Sequence, residues 1–357
     1  MKQLMALIDL FHVYGIAVIF DLVENHAGGE FGDESLYFMD RQSYGDNNHS
    51  LYFTDQGWAG GLIFAFWKRE VRQFLIDNAA FFINEYHVDG FRFDEVTVID
   101  RYGGWEFLQN LTDTLRSQKP SAPLIAEYWA DHSAVLRSRS DADAVVDSNL
   151  REALCGALAQ ASPGKDAPVD LDTVVRELYP KHGGAWRSVH HLENQDVVRV
   201  NNDNDRQPRV PALADGSNPR FWYARNRSHW ANGLLLTAPG TPMLFMRQEF
   251  LEDKYWSDSP DFYKANLIWW NGLNSDRAMQ DHLRFIRELI ALRRRLPALQ
   301  ADSLNVYHVH NDNRVIAFHR WVAGVGTDVV VVANLREETL VGIQTRFPAR
   351  RHVAGGL

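Results

Sequence analysis

Two stretches of this sequence place ionisable side chains where they could work as a pair. In GFRFDEV, residues 90–96, Arg92 and Asp94 stand two apart among apolar neighbours. Val88, Phe91 and Phe93 favour an extended strand, in which residues i and i+2 face the same side. Taken alone, that spacing describes a buried ion pair bracing a core. It also describes an acid kept ionised for chemistry, because a cation a few ångströms away lowers a carboxyl pKa. In PLIAEYW, residues 123–129, Glu127 closes an apolar run. Apolar surroundings raise a carboxyl pKa until it carries a proton near neutral pH. One carboxylate held negative and another held protonated are the parts of a nucleophile and a general acid/base.

Polar residues gather in two further stretches that leave strands for loops. DLVENH carries Asp21, Asn25 and His26, and HHLENQD carries Asn194, Gln195 and Asp196. Acids converging from several strand ends crowd like charges together, and such crowding survives mainly where it serves a function. Single members of the set have plainer readings. His26 alone is an ordinary loop histidine, and His190 and His191 are assigned to strand and core.

These side chains need a scaffold of strand ends, and the patterning supplies one. A helix over about 2–14 runs into the strand GIAVIFDLV, and a long loop over 24–67 follows, rich in Gly, Asn, Asp and aromatic residues. Loops of that length are uncommon in compact domains unless functional. Helices are predicted over about 68–86, 104–117, 132–139, 220–236 and 279–295, with further helical segments between about 150 and 180. Strands are predicted at GFRF, PLIAEYW, ADAVVDS, RSVHHLEN and GTPMLFM. Strand alternating with helix argues for parallel βαβ units, and six such strands fit an α/β barrel better than an open sheet. In a barrel of this kind active sites are built at the strand ends that lead into loops. RVIAFHRW and TDVVVVANL read as strands without helices between them. The expected domains are therefore a catalytic barrel over 1–298 and the start of an all-β domain over 299–357.

Composition narrows the partners. The 357 residues carry a formal net charge of −9, which argues against nucleic-acid binding. The basic run Arg293–Arg295 ends a helical pattern and is expected to favour the helix dipole. Cys155 is the single cysteine, so no intrachain disulfide or thiolate metal cluster forms, in keeping with a cytoplasmic location. Neither a signal peptide nor a membrane span is read. The 11 Trp, 12 Tyr and 20 Phe suit a sugar ligand, whose rings offer flat apolar faces. Trp58, Trp67, Trp129 and Trp256 are candidate stacking platforms, weighed against core packing. AGGEFG follows a strand but opens no helix, which counts against a phosphate-binding loop.

The four polar stretches, in this order, resemble the four signature regions of glycoside hydrolase family 13, the α-amylase superfamily. GFRFDEVTVIDRYGGW, AEYW, RVPALADGSNPRFWYARNRS and QEFLEDKYWSD are most similar to bacterial 1,4-α-glucan branching enzymes. The resemblance implies a (β/α)8 TIM-barrel type of fold and an α-glucan-active retaining transferase that cleaves α-1,4 links and forms α-1,6 branches. It assigns Asp94 as nucleophile, Glu127 as acid/base and Asp196 as a support for the oxocarbenium-like transition state. Asp21, His26, Arg92, Gln195 and Trp129 are then expected to bind substrate or brace the site. The substrate implied is glycogen, amylose or a maltooligosaccharide, with no cofactor and no metal. Some relatives imply that Asn25 could ligate a structural calcium here, but branching enzymes generally lack that ion. Two alternatives stay open: an α-amylase-type hydrolase, and an inactive glucan-binding remnant.

The chain departs from the family in three places. Gln195 stands where His is usual, and its amide cannot carry positive charge. Arg247 stands where Gly is usual, with room to crowd the site or to meet a partner's carboxylate. The family's first two barrel strands find no counterpart, so a fragment, or one piece of a larger assembly, is expected. An unclosed barrel leaves two unpaired edges, and self-association through them and low activity of the isolated chain are expected with it.

Overall fold

A computed structural model describes residues 2–27, 40, 50–136, 141–200, 207–257, 267–338 and 340. The chain forms two compact units, 1–146 and 147–357. Among the described residues no helix is long and apolar enough to cross a membrane.

The first unit opens with helix α1 (Lys2–Val13) and strand β1 (Ile19–Leu22). An antiparallel hairpin, β2 (Phe53–Trp58) and β3 (Gly61–Phe64), follows inside the segment predicted as loop. Its turn is made by Ala59 and Gly60, both in the left-handed region. Helix α2 (Arg69–Tyr86) then leads to strand β4 (Gly90–Phe93). The helix stops because His87 adopts a left-handed conformation, φ 59°, that returns its N–H to the Phe82 carbonyl. Helices α3 (Val96–Arg101) and α4 (Trp105–Gln118) precede strand β5 (Leu124–Ala126). Strand β6 (Ala144–Asp147) follows, its last residue counted with the second unit. Of the helix predicted over 132–139 the structure describes His132–Ala134, and 137–140 lie outside the described residues.

β1, β4, β5 and β6 pair in parallel, in that order. Helical crossovers are what parallel neighbours require, and the apolar faces of α2 and α4 bury Leu75, Ile83, Leu108 and Leu111 in one core with Phe91, Leu124 and Val145. The register matters most for the site. Asp21 pairs with Arg92, and Phe93 pairs with both Leu22 and Ala126, so Arg92, Asp94 and Glu127 fall at adjacent strand ends.

The second unit holds helices α5 (Asn149–Ala161) and α6 (Leu171–Leu178), strand β7 (Ser188–His190), helices α7 (Val210–Ala214) and α8 (Trp222–Thr237), strand β8 (Thr241–Pro242) and helix α9 (Arg277–Arg295). β7 and β8 are parallel. The end of the chain adds an antiparallel sheet in the order β11 (Val329–Asn334), β10 (Val315–Arg320), β9 (Asn305–His310). β9 escapes the sequence pattern because its alternate residues are Asn305, Tyr307 and Val309 in one set and Val306, His308 and His310 in the other, so neither set is uniformly apolar. Ile316 and Phe318 of β10 share a buried cluster with Leu154, Leu158, Leu234 and Leu235.

The basic run at the end of α9 does not serve its own helix alone. Arg293 donates to the carbonyls of Leu236, Ala238 and Gly240, at 2.9, 2.9 and 2.5 Å. The Leu236 and Ala238 carbonyls are acceptors left over where α8 ends, so the guanidinium caps the neighbouring helix. Arg320 acts similarly on Ser303, Ala301 and Thr237.

Candidate active site

Arg92 organises the first unit's cluster. Its Nη1 donates to Asp21 Oδ1 at 2.7 Å and to Asp94 Oδ1 at 2.5 Å, while Nη2 reaches Glu127 Oε1 at 2.7 Å. A planar fork is the side chain suited to hold several carboxylates at once. The strand register delivers this geometry directly, since Asp21 and Arg92 are side by side on parallel neighbours. Asp94 is fixed a second time by Asn25, whose Nδ2 donates to the Asp94 carboxylate and to its backbone carbonyl, each at 2.9 Å. The Asp94 N–H donates to Leu22 O at 3.0 Å. The position of Asp94 therefore rests on contacts from its own strand end and from the end of β1.

Glu127 differs from Asp94 in exposure. Its side chain is 3% exposed against 20% for Asp94. Burial pushes the Glu127 carboxyl up to about 7, against the Arg92 ion pair and the Glu95 N–H, which pull it down. That N–H donates to Glu127 Oε2 at 3.0 Å. The two carboxyl groups thus share one guanidinium but not one environment.

His26 sits at the end of the same strand segment. Its Nδ1 donates to Asn25 Oδ1, and burial lowers its pKa despite the nearby negative charge of Asp94. The ring is neutral at neutral pH and keeps Nε2 as an acceptor. The β2–β3 hairpin closes over this segment: Ala27 N–H donates to Leu62 O, and Phe64 N–H to Asn25 O. The approach is so close that a Cβ on Gly61 would lie 1.6 Å from the Ala27 carbonyl oxygen. Only glycine fits there.

Trp129 lies two residues beyond Glu127, is 47% exposed, and donates its backbone N–H to Thr97 Oγ1 at 2.8 Å. Trp67 is exposed as well, whereas Trp58 packs against the core. In the second unit Gln195 donates through Nε2 to Asp196 Oδ2 at 2.9 Å, and Asn194 Oδ1 accepts from the N–H groups of Asp196 and Val197. Trp256 donates to Gln195 O at 2.7 Å, so its indole braces that loop. His190 and His191 are buried, and burial lowers the pKa of both, that of His191 to about 4.

Arg247 is 6% exposed and left-handed, with φ 74°. The backbone there has the conformation that suits glycine, and a buried guanidinium offers too little surface to bind a partner's carboxylate. Two residues next in sequence to the named ones, Glu24 and Glu95, escape sequence reasoning. Glu24 is buried, and neither carboxyl oxygen has a hydrogen-bond partner among the described residues; burial raises its pKa well above the usual range. Glu95 enters through its backbone, and nothing in the residue type announces that.

No model of a protein family matches the chain. Among curated relatives, 1,4-alpha-glucan branching enzyme GlgB 1 of Streptomyces avermitilis is 26% identical over 376 residues, 96% of this chain and 43% of the relative. The branching enzyme GlgB of Deinococcus radiodurans is 25% identical, over 94% of this chain and 49% of its own. The chain resembles glycoside hydrolase family 13, and within it the branching enzymes. It spans about half the length of the curated relatives it matches.

Solved structures add the fold. The alpha-amylase of Geobacillus thermoleovorans, in complex with acarbose, aligns over 94% of this chain and 70% of its own with TM-score 0.69 at 21% identity. The Nostoc punctiforme debranching enzyme, soaked with acarbose, aligns over 94% and 70% with TM-score 0.67 at 20% identity. The architecture expected of an α-amylase relative, parallel strands of TIM-barrel type followed by an antiparallel sheet, is the one present.

Proposed function

We propose that this chain carries the catalytic centre of a branching enzyme of glycoside hydrolase family 13, a retaining transferase that cleaves α-1,4-glucan links and re-forms them as α-1,6 branches. One observation carries the reading. A single guanidinium holds two carboxyl groups, one partly exposed and one buried with its pKa at about 7. Sharing one fork favours the short carboxyl separation of retaining enzymes, about 5–5.5 Å.

Asp94 attacks the anomeric carbon as Glu127 gives its proton to the departing glycosidic oxygen, so the C–O bond breaks while a glucosyl–Asp94 ester forms. Glu127, now ionised, takes the proton from the 6-hydroxyl of an acceptor glucan, whose oxygen displaces Asp94. Asn25 and Arg92 keep Asp94 in line for both steps. Asp21 holds Arg92, and the free Nε2 of neutral His26 accepts a sugar hydroxyl. Trp129, half-exposed, offers its ring to a sugar face. Asp196 and Gln195 are assigned to sugar hydroxyls by family likeness, without cofactor or metal. A cytoplasmic location and an α-glucan substrate such as glycogen or amylose go with this reading.

Amylose stained with iodine and assayed in parallel for reducing ends tests it. Branching predicts loss of blue colour with few new reducing ends. Loss of colour with abundant reducing ends identifies a hydrolase, and glycogen binding without either change identifies a binding protein.

A further inference from the structure

The residue that follows the proposed nucleophile has an unusual backbone. Glu95 sits at φ 42°, ψ 49°, in the left-handed region that side chains other than glycine rarely adopt. Strain of this kind persists where the surroundings demand it, and it collects at working sites. Its consequence is local. The turn sends the Glu95 N–H onto Glu127 Oε2 at 3.0 Å, and the next N–H, of Val96, onto the Glu127 backbone carbonyl at 2.9 Å. Arg92 meanwhile holds Oε1 at 2.7 Å. Each carboxyl oxygen of Glu127 thus has its own donor, and the donor on Oε2 belongs to the residue at the left-handed turn.

We infer that Glu95 is a positioning residue: its left-handed turn ties the strand end bearing Asp94 to the carboxyl group of Glu127, and so sets the orientation in which Glu127 passes its proton. The inference rests on the acid/base reading of Glu127. It extends that reading to the backbone of a residue whose carboxylate, with that of Asp94, also raises the Glu127 pKa through its charge.

Two substitutions separate the turn from the side chain. Glu95→Gly removes the carboxylate but adopts the turn freely, keeping the N–H in place. Glu95→Val removes the same carboxylate, and its branched Cβ opposes a positive φ. Any difference between them reports the backbone. On an α-glucan, Glu95→Val is expected to fall about tenfold below Glu95→Gly in kcat/KM, the worth of one hydrogen bond. On α-maltosyl fluoride, whose leaving group departs without a proton, the two are expected to release fluoride with nearly equal kcat/KM. Equal loss on both substrates would mark a merely structural role and overturn the inference, as would equal activity of the two variants on the glucan.

A second readout does not need activity. The ¹³C shift of the Glu127 carboxyl, assigned with Glu127→Gln, is expected to titrate at higher pH in Glu95→Val than in Glu95→Gly, because a donor to the charged form has been withdrawn. Identical titrations overturn the inference. If the unmodified chain turns over neither substrate, the functional reading fails, while the titration still decides the positioning role. Should Glu95→Val not fold, Glu95→Ala takes its place in both measurements.

Discussion

A buried acid with a raised pKa weakens the fold, and at Glu127 the cost can be worked out. The carboxyl moves from 4.5 to about 7 on folding, which at 1.36 kcal/mol per pH unit is about 3 kcal/mol. Because the folded state holds the proton more tightly, this contribution to stability is complete below pH 4.5. It is lost as pH rises through 7. Integrated between pH 5 and pH 8.5, the loss is about 2.5 kcal/mol. Glu127→Gln keeps the shape and removes the titration. Its amide nitrogen must face either Arg92 or the Glu95 N–H, since these occupy the two oxygens. That mismatch costs about 1–3 kcal/mol at every pH. The variant is therefore expected to be the less stable protein at pH 5 and to close or reverse the gap by pH 8.5. Urea unfolding across that range, followed by tryptophan fluorescence, measures the difference between the two curves. Other carboxylates titrate in both proteins and cancel. Curves that stay parallel to within about 0.5 kcal/mol would show that Glu127 is ionised at ordinary affinity, and the acid/base assignment would fall with it.

The same proton sets the activity profile: kcat/KM on an α-glucan is expected to decline above about pH 7, where Glu127 ionises in the free protein, as pH–rate measurements will show. Asn25→Ala removes both 2.9 Å contacts to Asp94 and is expected to lower kcat/KM about ten- to hundredfold, from the 1.5–3 kcal/mol of one charge-assisted hydrogen bond. Gln195→His restores a side chain that can carry charge beside Asp196 and is expected to raise turnover by a similar factor; equal or lower turnover refutes that role for position 195. Arg247→Gly relieves a left-handed backbone, and the urea midpoint is expected to rise by the equivalent of about 1 kcal/mol.

How far the site could be read from the sequence depends on which physical level carries each contact. Arg92 with Asp94 was legible because a period of two is built into any strand, even though the strand itself ends at Phe93. Glu127 was legible because an apolar run such as PLIA can be buried only with whatever closes it. The bond between Arg92 and Asp21 follows from strand register, which a sequence fixes only through the whole sheet. Asn25 was visible as a polar loop residue, but its two bonds to Asp94 require knowing where the β4 end lies. The β2–β3 hairpin hid inside a stretch of turn-forming residues, and its Gly61 marks a close approach whose partner, the Ala27 carbonyl, is 34 positions earlier. Glu95 lies furthest from sequence reasoning. A glutamate after a strand suggests a charge at a site, whereas here the glutamate's peptide N–H makes the contact, and its geometry is set by the turn from β4 into α3. Residue types announce acids, bases and cations. Orientation among them is settled by backbone conformation, and the one conformational clue a sequence usually gives, a glycine at the left-handed position, is missing from this turn.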